Sequence, residues 1–122
     1  MEKIFVWVKR PGESPKHVWM SNNLQNLQRY VGGYIETVTL DEDIVIICNE
    51  EGRIMGLPYN CEVYGIDFCG DIIFAGIDGE EFADCPLDSM DMKAEFPELF
   101  EENEKAPAIR TDQLEPLNIV QP

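Results

Sequence analysis

The sequence predicts an α+β domain: a mainly antiparallel sheet with one short packed helix and a C-terminal acidic helical extension. Three observations lead there. The chain has 122 residues, 44% of them hydrophobic, which suits one core and a tail. Apolar runs rich in β-formers recur through residue 77 and are joined by short turns, which favours antiparallel pairing. One segment in that region, residues 23–31, has helical rather than strand spacing.

The elements follow in order. Residues 3–9, KIFVWVK, alternate as a strand, with Ile4, Val6 and Val8 on one face and Phe5 and Trp7 on the other. Pro11-Gly12 signals a turn, and His17 to Met20 a short strand returning beside the first. Ser21-Asn22-Asn23 supplies N-cap residues. Leu24, Leu27 and Val31 then form the apolar stripe of a helix, which Gly32-Gly33 stops. Residues 34–40 alternate as a strand, Asp41-Glu42-Asp43 turns, and 44–48 form a continuous apolar run expected to be buried on both faces. Asn49-Glu50-Glu51-Gly52 reads as a hairpin turn, with 53–56 as the returning strand. Leu57-Pro58-Tyr59-Asn60 breaks the pattern. A last strand is expected at about 72–77, closed by Asp78-Gly79. Asp88 or Ser89 caps a short helix running to about Glu95, and Pro97 ends it or starts a second one running to about Glu104. The expected divisions are 1–85 for the α+β unit, 86–105 for the acidic helical extension and 106–122 for an extended tail.

Composition narrows the chemistry. Cys48, Cys61, Cys69 and Cys85 form no C-x-x-C pair, and His17 is the one histidine, so neither a zinc site nor another metal centre is expected. The reading is four reduced thiols acting as small hydrophobes. No G-x-S-x-G, phosphate-binding loop or EF-hand pattern occurs, so we expect no catalytic residues, no cofactor and no enzyme. No apolar run is long enough for a membrane span or a signal peptide, which places the expected site of action in the cytoplasm.

Charge is the loudest feature. Nine basic against 24 acidic residues give −15. Residues 1–40 carry five basic and three acidic side chains, whereas 41–122 carry four and 21. Such a surface repels nucleic acid and anionic membranes and attracts basic protein surfaces. The densest stretch, 78–104, holds 11 acids and the single base Lys93. Within it Asp84, Asp88, Asp91, Glu95, Glu98 and Glu102 are spaced 4, 3, 4, 3 and 4 apart, which on one continuous helix makes an acidic stripe. Pro97 argues against a single straight helix. A row of carboxylates imitates a phosphate row and competes for the Lys and Arg side chains that bind nucleic acid.

Several segments together carry a family resemblance. Gln25 or Gln28, Val31 to Glu36 (VGGYIE), Asn49 to Gly52 (NEEG), Leu57, Pro58 and Asn60 (LPxN), and Gly70-Asp71 before an apolar strand occur in an order that resembles a domain of unknown function. That family comprises small proteins of phages, plasmids and other mobile elements of bacteria. The resemblance covers roughly residues 1–85 and implies a gene setting, a mobile-element accessory gene in a bacterial host cell, rather than an activity.

Two readings of the target follow. In the first, the chain is a non-catalytic inhibitor of a basic host nuclease, Cas9-type or restriction, an anti-CRISPR or anti-restriction protein acting as a DNA mimic. Asp84, Asp88, Asp91, Glu95, Glu98, Glu101 and Glu102 are its contacts. In the second, it is a phage regulatory or structural module that binds a protein or small ligand through Gly32, Gly33, Asn49, Glu50, Glu51, Gly52, Pro58 and Asn60. Neither reading has direct nucleic-acid or membrane contact. The chain is expected as a monomer, or as a dimer through an open sheet edge.

Overall fold

The computed structural model describes residues 2–100. Its elements are β1 (Lys3–Lys9), β2 (Lys16–Ser21), α1 (Leu24–Val31), β3 (Ile35–Asp41), β4 (Ile44–Asn49), β5 (Tyr59–Val63), β6 (Ile66–Cys69), β7 (Ile72–Asp78), β8 (Glu81–Ala83) and α2 (Ser89–Glu95). One sheet of six strands runs β2-β1-β7-β4-β3, and β8 also pairs with β7. Every pairing is antiparallel. The strands β5 and β6 form a separate hairpin.

Alternation along the strands sorts the core into two halves. Ile4, Val6, Val8, Met20, Val45, Ile47, Ile73 and Ala75 pack with Leu27 and Val31 of α1 on one face. On the other, Trp7, Ile46, Cys48, Ile72 and Phe74 meet Cys61, Val63 and Phe68 of the hairpin, together with Cys85, Met92, Phe96 and Leu99. The sheet is thus the middle of three layers. Its central strands β4 and β7 bury both faces, which explains their uninterrupted apolar runs.

α1 begins and ends as its sequence predicts. Asn23 accepts from Asn26 N at 2.8 Å, and Gly32 takes the left-handed conformation at φ 85°.

Residues 50–56 correct the expected returning strand at 53–56. They form consecutive turns, in which Met55 N donates to Glu51 O at 2.8 Å and Leu57 N to Gly52 O at 3.0 Å. The second hairpin comes later, after Pro58. Its connection is Tyr64-Gly65, both at positive φ, 50° and 81°. That is the backbone of a two-residue hairpin turn matched to strand twist. The short strand β8 also extends the sheet past the Asp78-Gly79 turn.

α2 stops at Phe96, whose φ of −130° and ψ of 60° leave the helical region. Helical conformation resumes at 97–100 with Pro97 in the first position. The rest of the expected second helix and the expected tail at 106–122 lie outside the described residues.

Candidate functional site

The carboxylates of residues 84–98 are all exposed, and several are fixed by local hydrogen bonds. Asp84 Oδ1 accepts from Phe5 N at 2.8 Å, which ties the segment after β8 to the start of β1. Asp88 caps α2 by accepting from Asp91 N at 2.8 Å, and Asp91 accepts in return from Asp88 N at 3.4 Å. Met92 faces inward and is buried, so the acids of this helix face out. Glu95 accepts from the Tyr64 hydroxyl. That bond and partial burial push the phenol up to about 12. Glu98 borders an open groove beside Tyr59, Glu62 and Tyr64.

The acids thus fall into a non-helical Asp84, the N-cap Asp88 with Asp91 and Glu95 on α2, and, past the break at Phe96, Glu98 on the following turn. They do not lie on one continuous helix. Glu101 and Glu102 lie outside the described residues.

The residues of the loop reading are tied into one knot of backbone contacts. Asn49 is buried; its Nδ2 donates to Val31 O at 3.1 Å and its Oδ1 accepts from Glu51 N at 2.7 Å. Asn60 is fully buried, donates to Lys9 O at 2.8 Å and Gly70 O at 2.7 Å, and accepts from Lys9 Nζ at 2.9 Å. A Cβ at Gly52 would lie 2.7 Å from Cys69 O, and one at Gly33 2.9 Å from Asn49 Nδ2, so both positions need bare backbone. Pro58 O accepts from Gly70 N at 2.7 Å. The four segments that carry the family resemblance therefore hold one another. Gly32, Glu50, Glu51 and Pro58 remain exposed around the knot, together with Tyr34, Ile54 and Met55.

A second chemical feature went unread in the sequence. Trp7, His17, Phe5 and Trp19 form a stacked ladder across β1 and β2. The centroids of Trp7 and His17 are 4.3 Å apart, those of His17 and Phe5 3.6 Å, and those of Phe5 and Trp19 4.8 Å. The register that pairs Trp7 with His17 and Phe5 with Trp19 creates it. The inner end is buried, with Trp7 Nε1 donating to Leu87 O at 2.9 Å. The outer end, Trp19, is 61% exposed. His17 is thus a ring between two rings. Burial lowers its pKa below 6.5 although Asp84 and Asp88 pull it up.

The cysteines are all free; Cys48, Cys61 and Cys85 are buried. Burial pushes the Cys48 thiol up to about 11 and raises that of Cys85, which disfavours the reactive thiolates. Among the described residues, no group of three His, Cys, Asp or Glu side chains is placed to hold a metal ion. No helix there is long and apolar enough to cross a membrane.

Fold and surface together define an antiparallel-sheet α+β domain whose distinctive surface chemistry is carboxylate beside aromatic. The chain belongs to the family described as domain of unknown function (DUF3846), whose model matches residues 3–101. The match takes in α2 and its acids as well as the segments that suggested a family from sequence. No curated protein and no solved structure matches the chain.

Proposed function

We propose that the protein is a non-catalytic binding protein that engages a basic protein surface through the carboxylates of residues 84–98. The concrete case is a nucleic-acid enzyme of a bacterial host, a Cas9-type or restriction nuclease, inhibited in the cytoplasm by the product of a phage or other mobile element. One observation carries this reading. Asp84, Asp88, Asp91, Glu95 and Glu98 are exposed on segments anchored by Cys85, Met92, Phe96 and Leu99, so the charges stand on a fixed frame. Carboxylates held in place compete for Lys and Arg at less entropic cost than carboxylates on a loose chain.

A second reading keeps the interface at residues 49–60, as a phage regulatory or structural module. The exposed Tyr34, Ile54 and Met55 beside those turns favour it. Asn49 and Asn60 themselves serve the fold, so they do not report on binding there.

The test neutralises charge without breaking the caps. Asp84→Asn, Asp88→Asn, Glu95→Gln and Glu98→Gln preserve shape and acceptor oxygens. Wild type and this quadruple variant are used to capture proteins from a bacterial lysate containing a Cas9-type nuclease and restriction enzymes, at low and high salt. We expect wild type to retain a nucleic-acid enzyme in a salt-sensitive manner and the variant to retain roughly tenfold less or weaker still. Equal capture by both, or salt-resistant capture abolished by Ile54→Ser with Met55→Ser, would move the interface to the 49–60 turns.

A further inference from the structure

Trp19 is a large aromatic left 61% exposed at the end of a four-ring stack. Its partner Phe5 is bracketed by the acidic segment, with Phe5 N donating to Asp84 Oδ1 and Phe5 O accepting from Cys85 N, each at 2.8 Å. Leu87 O, one residue before Asp88, holds the buried Trp7. The ladder therefore emerges from beneath the 84–88 segment, with Asp84 and Asp88 along its border. Lys3 lies two residues before Phe5, on the same face of β1, and pairs with Ser21. It is a cation at this end, set against those two carboxylates.

We propose that the exposed end of the ladder, Trp19 on Phe5 with Asp84 beside it, is an arginine-binding platform for the basic protein partner. The inference rests on the reading above and names where and how that partner is gripped. A guanidinium is flat, so it stacks on an aromatic face while its fork of N–H groups donates to a neighbouring carboxylate. An ammonium makes the second interaction without the first. A nucleobase would also stack on Trp19, but its phosphates meet the field of a chain at −15. A second copy of this chain meets the same repulsion. Stacking on Phe5 restrains the Trp19 ring, so docking immobilises little that was free.

The probes are a short peptide alternating Arg and Gly and its Lys–Gly counterpart, titrated calorimetrically into the full chain at low salt. Tryptophan emission is followed in parallel, since Trp7 is buried and Trp19 is open to the peptide. We expect the arginine peptide to bind several-fold more tightly than the lysine peptide and to perturb the emission. Trp19→Ala should weaken the arginine peptide about tenfold and erase the preference, and Trp19→Tyr should restore most of it. Circular dichroism checks that both variants fold. If Trp19→Ala binds the arginine peptide as wild type does while the quadruple carboxylate variant loses it, the platform is refuted and the acidic reading stands. If wild type binds neither peptide, both are refuted.

Discussion

His17 shows how a single residue can carry opposing electrostatic effects. Packing between Phe5 and Trp7 disfavours the imidazolium, Asp84 and Asp88 favour it, and burial wins. The folded pKa lies below 6.5, so the unfolded chain takes up its proton first as the pH drops. Stability therefore falls from about pH 6.5 towards the folded value and levels off beneath it. His17→Phe keeps a ring in the stack and removes the titration. Urea unfolding from about pH 7.5 to 5.5, above the carboxylate range, should show the variant gaining on wild type as the pH falls. A constant difference across that range would mean that the histidine titrates alike in both states. The ladder was half legible in the sequence. Alternation put Phe5 and Trp7 on one face, but only the register of β1 against β2 brings His17 and Trp19 onto them. Asn49 was legible as part of a turn and Asn60 as part of a break in the pattern, but the structure sets them at the end of β4 and within β5 and buries both.

Elements were readable where periodicity was strong and unreadable where turn chemistry was unusual. β1, β3, β4, β7 and α1 follow directly from alternation, apolar runs and caps. The β5–β6 hairpin did not, because a tyrosine occupies a position usually given to Asn, Asp or Gly. Tyr64 accepts the left-handed backbone at φ 50° while its hydroxyl bonds Glu95 and its ring lies 5.6 Å from that of Phe96. This hairpin and α2 thus brace each other. Two substitutions separate backbone from ring. Tyr64→Asn and Tyr64→Val both lose the ring contacts, but Asn tolerates this conformation and a β-branched residue does not. Denaturant unfolding should find the Val variant less stable than the Asn variant by about 1–2 kcal/mol. Equal stabilities would show that the turn relaxes without cost. The acids of α2 were legible as charge but not as structure. Asp88 and Asp91 are also a capping box, and the stop at Phe96 breaks the stripe that their spacing drew.

At the scale of the whole molecule, charge acts on folding and on binding with opposite sign. Of the described ion pairs, Lys16–Glu13 at 3.5 Å and Arg53–Asp67 at 4.0 Å are largely solvent-exposed and Arg10–Asp71 at 3.6 Å is half-buried on the Asp71 side, so salt costs these few surface pairs little. The excess carboxylates repel one another in the compact state, and salt relieves that strain. Raising NaCl from about 0.05 to 0.5 M, well past the range at which exposed charges are screened, should therefore raise Tm. The expected rise is roughly 4–8 °C, which corresponds to about 1 kcal/mol in a domain of this size. The same screening should weaken capture of a basic partner. Measuring both on one sample separates function from folding, because a partner lost at high salt is then lost by a more stable protein. A Tm that falls with salt would show that attractive pairs outweigh the repulsion. Weakened capture at high salt would then be attributable to unfolding as readily as to screened carboxylates.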